Sequence, residues 1–330
     1  MLRLFAHAKY DFIAARRYAY AATALFILPG VLFLLVHGLN YSIEFTGGTL
    51  IQVESKGKVD VAAVRSGLDR EGIHGAEIQN FGAPNEFVVR ARVAKPGTDA
   101  NDTQATANAV REALTRVLGA GNFTITRTEA VGPKVGGELR TKAFLAIFLS
   151  FFAVLAYLAY RFEWRFGLAA VIATAHDIVA TIAFIAMLRL EVSLTVVAAV
   201  LSMVGYSLND TIIIFDRVRE NLKKHKKETF EQILNRSINE TLPRSVLTHG
   251  TTLSSLLALT LFGGEVIRPF ALVMFFGVFT GTFSSIYIAS PVLMAIEKRW
   301  PGQLAKGHLA PTVAPAPPVT GGGRKAAPVG

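Results

Sequence analysis

The chain has 330 residues, 52% of them hydrophobic and 18% charged, and its formal net charge is +10. This composition is too apolar for a soluble domain, so the excess of apolar residues must lie in long runs. The sequence contains no cysteine, which excludes disulfides and thiolate metal sites.

Six apolar runs reach the roughly 20 residues that a helix needs to cross a bilayer. They cover residues 19–39, 143–160, 166–188, 193–215, 245–263 and 269–295. The first run is longer than the apolar region of a signal peptide, and no A-x-A-like cleavage site follows it closely. The sequence therefore predicts a polytopic α-helical membrane protein with six transmembrane helices, the first of which is retained.

Basic residues alternate between the two sides of these runs. They precede the first run, recur at Arg161 and Arg165 between the second and third, and cluster from Arg217 to Arg236 between the fourth and fifth. The positive-inside rule then predicts cytoplasmic termini and an external segment between the first two runs. We interpret the net charge as a signal of topology rather than as a site for nucleic acid.

The segment 41–138 is polar enough to fold in water, and its apolar periodicity changes in a regular order. It predicts strands at 49–54, 76–81, 86–93 and 122–131 and helices at 59–72 and 101–118. The order β-α-β-β-α-β indicates a small α+β domain of the ferredoxin-like type. In that arrangement two helices cover one face of a four-stranded antiparallel sheet.

This domain shows no sequence sign of catalysis, because it lacks a Ser/His/Asp set, a phosphate-binding glycine loop and clustered metal ligands. Its sheet could bind an extended chain or dock a partner, and the sequence favours neither. Where the first helix leads into the first strand lie Phe45, Thr46, Gly47, Gly48 and Thr49. We interpret them as a hinge motif, since glycine adopts backbone angles closed to other residues, although paired glycines also occur in ordinary loops.

Several polar residues interrupt the apolar runs at helical spacing. An ionised side chain within a spanning helix costs about 2.5–3.5 kcal/mol, so each requires a partner or a function. The predicted polar stripes are Thr174, Asp177 and Thr181; Ser202, Tyr206, Asn209 and Asp210; and Arg244, Thr248, Thr251, Thr252 and Ser255. We expect these stripes to face one another, away from lipid.

Asp210 and Arg244 lie on consecutive antiparallel helices, which makes a pairing between them reasonable. A carboxylate whose protonation responds to a nearby cation suits a proton relay, with Asp177 as a further candidate. A static ion pair that orients the helices is an equally good interpretation. His176 should point about 100 degrees away from Asp177. Like His249, it is interpreted as a packed or hydrogen-bonded side chain.

Three further patterns concern packing and the end of the chain. Gly277, Gly281 and Ser285 predict close helix packing in the sixth run. Residues 228–242 suit an amphipathic helix on the membrane surface. The composition from residue 306 onward predicts disorder.

The predicted division is 1–40 for the N-terminus and first helix, 41–138 for the external domain, 139–298 for the other helices with a cytoplasmic loop at 216–243, and 299–330 for a disordered cytoplasmic tail.

Four stretches resemble the SecF family. They are FTGGT at 45–49, AHDIV at 175–179, GYSLNDTIIIFDRVREN at 205–221 and RSVLTHGTT at 244–252. The resemblance implies a non-enzymatic subunit of the bacterial inner membrane that needs no cofactor. It also implies SecD, the SecYEG channel and YajC as neighbours, SecA as a functional partner, and exported unfolded polypeptide as the cargo drawn outward with the proton gradient.

The resemblance further implies that Asp210 and Arg244 take part in proton transport. We expect Ser207 to support them as a member of the polar stripe. The sequence departs from the family at Glu44, where Asp is more usual, and at His249, where a small uncharged residue is usual. Two alternatives remain open: a proton-driven exporter of small molecules or lipids from the related resistance-nodulation-division superfamily, and a scaffold that transports nothing.

Overall fold

The computed structural model describes residues 9–91 and 103–308, without the side chains of Thr103 and Ala159. In that part of the chain, six helical stretches are long and apolar enough to cross a membrane. A small α/β domain lies between the first and the second of them. The predicted polytopic helical fold with one small domain is confirmed.

The first half of the chain contains α1 (Arg16–His37), β1 (Asn40–Tyr41), α2 (Ile43–Thr46), β2 (Gly48–Ser55), α3 (Val61–Arg70), β3 (Glu77–Asn80), β4 (Glu86–Ala91), α4 (Thr103–Leu118) and β5 (Phe123–Val131). The second half contains α5 (Pro133–Arg161), α6 (Trp164–Met187), β6 (Glu191–Val192), α7 (Leu194–Lys224), α8 (Phe230–Phe262), α9 (Gly264–Ser284), a π-helical segment (Ser285–Ala289), α10 (Ser290–Arg299) and a short 3-10 helix (Lys306–His308). The spanning stretches are α1, α5, α6, α7, α8 and the continuous run from α9 to α10.

The α/β domain has a four-stranded sheet in the order β3-β4-β2-β5, and every neighbouring pair is antiparallel. This order confirms the predicted ferredoxin-like arrangement. Its core, formed between the sheet and α3 and α4, includes Ile51, Leu68, Phe87, Val89 and Leu114. The predicted ends of β4 at 92–93 and of α4 at 101–102 lie outside the described residues.

The other face of the sheet lies over one end of the helical bundle, which we call the domain end. Leu50, Val88 and Arg90 on this face line a cavity together with Glu191 and Pro269 of the bundle. In addition, β1 pairs with β6 in parallel, which ties the end of α1 to the connection between α6 and α7. Part of the sheet surface considered above for partner or peptide binding therefore faces the protein's own bundle.

Most helices extend beyond the apolar runs that predict them. α5 begins at Pro133, so residues 133–138 are helical although they were predicted to belong to the domain. α7 continues to Lys224, past the predicted end of its run at residue 215. An apolar run marks only the part of a helix that suits hydrocarbon, whereas its backbone hydrogen bonds continue into polar surroundings.

The segment 216–243, predicted as a loop, is mostly helical. Only residues 225–229 separate α7 from α8, and Thr229 begins α8 with a capping box completed by Gln232. The apolar residues that follow are buried within the bundle core: Phe230, Ile233, Leu234 and Ile238. The prediction of a separate amphipathic helix on the membrane surface is wrong, because these side chains pack against protein and α8 continues through Pro243.

The chain after α10 begins with ordered residues. Ala305 and His308 are buried. The ring nitrogens of His308 lie 2.7 Å from the carbonyl oxygen of Glu228 and 3.1 Å from that of Leu222. The prediction of disorder from residue 299 is therefore wrong as far as residue 308, because this segment packs against the α7–α8 connection. Residues 309–330 lie outside the described residues.

Two glycines bring α9 close to α7. A Cβ atom at Gly277 would lie 2.7 Å from Cβ of Met203, and one at Gly281 would lie 2.8 Å from Cβ of Ser207. The predicted small-residue seam is confirmed, and it sets the distance between α7 and α9.

Candidate functional site

Asp177 of α6 lies at the meeting point of three helices and is fully buried. Its Oδ2 accepts hydrogen bonds from Ser207 Oγ of α7 at 2.5 Å and from Ser284 Oγ of α9 at 2.6 Å. Its Oδ1 lies 2.9 Å from Nδ1 of His176. The expectation that His176 points away is wrong, because the imidazole bends back toward its neighbour. Both oxygens of this carboxyl group are satisfied.

Asp210 of α7 is also buried, but its hydrogen-bonding capacity is less completely satisfied. Ser245 Oγ of α8 donates a hydrogen bond to its Oδ1, while its Oδ2 has no hydrogen-bond partner among the described residues. His249 lies one helical turn beyond Ser245, is also buried, and has an Nδ1 without a partner in the same part of the chain. His249 and Arg244 both lie near Asp210. A buried polar atom without a partner costs about 1–3 kcal/mol. A proton or a water bound at Oδ2 of Asp210 would remove that cost, so this oxygen has the capacity to take either.

Asp177, Asp210 and the serines that bind them form what we call the polar centre of the bundle. The sixth spanning stretch changes its backbone geometry beside it. The π-helical segment begins at Ser285, directly after the serine that bonds to Asp177. Ser285 Oγ lies 2.7 Å from Oγ1 of Thr211, and Ser290 Oγ donates to the carbonyl oxygen of Ser285 at 3.0 Å. Single π turns inside α-helices frequently occur at functional sites.

Arg244, the expected partner of Asp210, lies on the exposed side of α8. It forms no ion pair within the part of the chain that the structure describes, and its neighbour Ser245 makes the contact with Asp210 instead. Consecutive helical residues point in different directions, so only one of these two positions can face α7. The expected direct pairing is therefore not formed in this structure.

Apart from Asp210, most members of the polar stripes predicted on α7 and α8 do not face the bundle interior. Their exposed members are Ser202, Tyr206 and Asn209 on α7 and Arg244, Thr248, Thr251 and Ser255 on α8. Thr252 is half-buried. The inward face of α7 carries Asp210 together with Ser207 and Thr211. The expectation for these two helices is wrong, because spacing shows which residues share a face but not which way that face turns.

The stripe on α6 was predicted correctly, since Thr174, Asp177 and Thr181 are all buried. On α8 the hydroxyls of Thr251 and Thr252 donate to backbone carbonyls one turn earlier in the same helix. A hydroxyl satisfied in this way needs no neighbouring helix, so threonine alone is a poor indicator of an inward face.

The motif at 45–49 forms a tight junction between the domain and α5. Gly47 and Gly48 adopt φ angles of 74° and 134°, which favour glycine. A Cβ atom at Gly47 would lie 2.7 Å from Cα of Pro133, and one at Gly136 would lie 2.9 Å from the backbone nitrogen of Gly47. Glu44, just before the motif, accepts a hydrogen bond from the amide of Leu194 at 2.6 Å. The motif thus joins the domain to both α5 and α7.

An ion pair makes a second connection between the domain and the bundle. Arg90 of β4 pairs with Glu191 of β6 and lies 3.9 Å from Glu77 of β3. Burial raises the pKa of Glu191, the carboxylates of Glu44 and Glu77 raise it further, and Arg90 opposes the rise. The partly buried guanidinium of Arg90 therefore offsets the repulsion that Glu191 experiences from its acidic neighbours.

Comparison with known proteins identifies the family. The C-terminal model of the protein export membrane proteins SecD/SecF matches residues 110–299, and the SecD/SecF GG motif matches residues 32–59. A protein translocase subunit SecF from Gemmatimonas aurantiaca is 60% identical over 305 residues, which cover 91% of each chain. The chain belongs to the SecF family. The SecF subunit of Magnetococcus marinus is 42% identical, over 87% of this chain and 92% of that relative.

Solved structures give the same result for the fold. The crystal structure of SecDF from Thermus thermophilus matches with a TM-score of 0.77 and 38% identity. A SecDF structure in the super-membrane-facing form matches with a TM-score of 0.65. The match to the first covers 88% of this chain and 39% of that one, so the chain spans well under half of SecDF. In this SecF chain the polar centre falls within the C-terminal match, and the junction at 45–49 falls within the GG-motif match.

The polar centre includes residues that the sequence alone did not assign. Ser245 and Ser284 were not singled out, and Ser285 was assigned to packing only. A serine in an apolar run can bond to its own backbone, so its presence does not reveal a partner. The AHDIV and GYSLND stretches pointed to the two carboxylates of this SecF chain, but no pattern indicated the serines that bind them.

Proposed function

We propose that this protein is an accessory subunit of the Sec translocase. Together with SecD, it uses the proton gradient to promote export of unfolded polypeptide across the bacterial inner membrane. Its other partners are the SecYEG channel and YajC, with SecA acting earlier on the same cargo. The names of its relatives and its resemblance to SecDF support the place in the Sec pathway. The polar centre of the bundle supports the use of protons.

The proposed proton role rests on a difference in hydrogen bonding between the two buried carboxyl groups. Asp177 has partners for both oxygens and holds three helices together. Among the described residues, Asp210 has one hydrogen-bond partner, and its second oxygen is buried without a donor. A group that gains and loses a proton needs such an open position, whereas a group that fixes helix packing does not. Asp210 is therefore the proposed carrier and Asp177 the proposed support.

The outward polar face of α7 and α8 supports a contact with another membrane subunit. Arg244 and Asn209 lie exposed in helices that cross the bilayer, where contact with lipid costs several kcal/mol for a charge. A neighbouring helix with polar groups of its own would remove that cost. We assign this face to SecD. In that arrangement Arg244 links the partner interface to Asp210 through charge rather than through direct contact.

The proposed orientation places the α/β domain outside and both termini in the cytoplasm, as the basic residues indicate. The domain is the part available to the exported chain, and its rigid connections at Gly47 and at Arg90 would transmit changes in the bundle to it. The proposed division into domains follows, with the external unit ending at β5.

The experiment measures export into inverted membrane vesicles with and without a proton gradient. Asp210→Asn keeps the size of the side chain and removes its titration, so the gradient-dependent part of export should be lost while assembly with SecD is retained. Asp177→Asn is the matched control. It should reduce the amount of assembled complex but leave gradient-dependent export per complex largely intact. Normal stimulation in Asp210→Asn would refute the proton role and favour a scaffold.

Arg244 provides a second variant for the same assay. Lysine keeps the charge but loses the planar fork of the guanidinium, so Arg244→Lys should retain partial activity and Arg244→Ala should retain none. Equal loss in both variants would show that the shape of the guanidinium matters as much as its charge.

A further inference from the structure

α5 is held against the rest of the protein at both ends, since near its end Leu158 is buried in the bundle core and Arg161 pairs with Asp216 of α7. Near its start, Gly136 packs against the backbone of Gly47. Beyond that point the helix exposes large apolar side chains, among them Phe144, Phe148 and Phe152. Between this part of α5 and its neighbours α6 and α7 lies a cavity of about 110 Å³.

The cavity is lined by apolar side chains with one cation at its edge. α5 contributes Arg140, Ala143, Phe144 and Ile147, which occupy one face at the i, i+3, i+4, i+7 spacing of a helix. Ile178 of α6 and Val197 of α7 form the opposite wall. Arg140 is exposed and forms no ion pair within the described ranges 9–91 and 103–308.

We propose that this cavity binds an acyl chain of an anionic phospholipid whose phosphate is held by Arg140. Arg140 lies one helical turn after Gly136 and just before the apolar run that begins at residue 143, which is the depth of the lipid headgroups at the domain end. A guanidinium matches a phosphate with two parallel hydrogen bonds. The α5 wall from Arg140 to Ile147 is about 10 Å long. It can therefore contact the half of an acyl chain that is nearest to the headgroup.

The size of the cavity argues for hydrocarbon rather than for water or a protein helix. Apolar cavities on the order of 150 Å³ stay dry and take up small hydrocarbons. A helix with its side chains is about 10 Å across, which is too wide for this space. A lipid chain would fill the gap between α5 and the bundle without opening the Gly47–Gly136 contact.

The test uses the full chain, purified in complex with SecD from membranes and reconstituted with phosphatidylglycerol and phosphatidylcholine in equal amounts. Native mass spectrometry then measures the lipids retained after mild detergent extraction. Phosphatidylglycerol should be retained preferentially. Arg140→Gln should reduce its retention about fivefold, as expected for one phosphate contact worth about 1 kcal/mol. Lys142→Gln removes another exposed cation that lies outside the cavity lining and should change retention little.

A second pair of measurements keeps the proposal testable if Arg140→Gln assembles poorly. Ile147→Trp fills the cavity and should reduce retention of both lipids. A photoreactive amino acid at position 147 should cross-link to lipid in membranes. Equal retention by the Arg140→Gln and Lys142→Gln variants would overturn the assignment of the phosphate. Cross-linking of position 147 to a protein chain instead of lipid would show that a partner side chain occupies the cavity, and would overturn the proposal.

Discussion

The α/β domain and the helical bundle place polar side chains in opposite ways. In the domain, the buried positions between sheet and helices are apolar, as at Val89 and Leu114, and charged residues lie outside. The bundle also has an apolar core, but it buries two carboxyl groups and several serines at its centre while exposing leucines and phenylalanines such as Leu149 and Phe148. The domain is organised by exclusion of water, whereas the bundle is organised by close packing and by hydrogen bonds that lipid cannot provide.

This difference predicts that the same substitution has different effects in the two regions. Leu114→Ala removes a fully buried side chain of the domain and should lower the free energy of unfolding of the domain by about 2–5 kcal/mol. Leu149→Ala, on the lipid-facing side of α5, should change stability by less than about 0.5 kcal/mol. Hydrogen exchange of the β2 and β4 amides measures the first effect, and exchange in α5 measures the second. Similar costs at both positions would show that α5 is covered by protein rather than by lipid.

Close packing in the bundle is tested at a glycine. Gly281→Ala places a methyl group against Ser207 and should destabilise the protein by about 1–2 kcal/mol, although alanine is the better helix former. Gly250→Ala is the matched control, because a Cβ atom there meets nothing within 4 Å. It should be neutral or slightly stabilising in thermal unfolding of the purified protein. If the two variants melted at the same temperature, the contact between α7 and α9 would be looser than described.

The connection between the two regions should depend on pH. Because the pKa of Glu191 is raised in the folded protein, its contribution to stability is complete below the unfolded pKa and is lost as the pH rises through the folded pKa. Arg90→Gln removes the guanidinium that opposes the rise in the pKa of Glu191. Its cost should therefore be about 1 kcal/mol near neutral pH and should disappear in acid, where Glu191 is protonated.

A matched variant for this pH series is Arg127→Gln. Arg127 pairs with Glu129 of the same strand, so its loss should affect the attachment of the domain little at any pH. Thermal unfolding of both variants between acid and neutral pH checks the expectation. A cost for Arg90→Gln that is independent of pH would contradict the role given to Glu191.

The sequence predicted the domain more completely than the bundle. Alternation of apolar residues identifies the inner face of β2 and β4, because one side of each strand packs against α3 and α4. In the bundle both the interior and the lipid-facing surface are apolar, so spacing grouped Tyr206 and Asn209 with Asp210 although they face outward. A helix at 228–242 was predicted from its amphipathic pattern, but the pattern did not show that this helix is continuous with the fifth spanning run or that its apolar face packs inside the bundle. The motifs located both carboxyl groups, but the serines that distinguish them became visible only with the packing of the helices.

A change of protonation at Asp210 is measured most directly by difference infrared spectroscopy of the SecD-SecF complex in vesicles, recorded with and without a proton gradient. The expected difference spectrum contains a carbonyl band of a protonated carboxyl group. This band should be absent in Asp210→Asn and present in Asp177→Asn. A band that persists in Asp210→Asn, or that disappears only in Asp177→Asn, would contradict the assignment of Asp210 as the group that carries the proton.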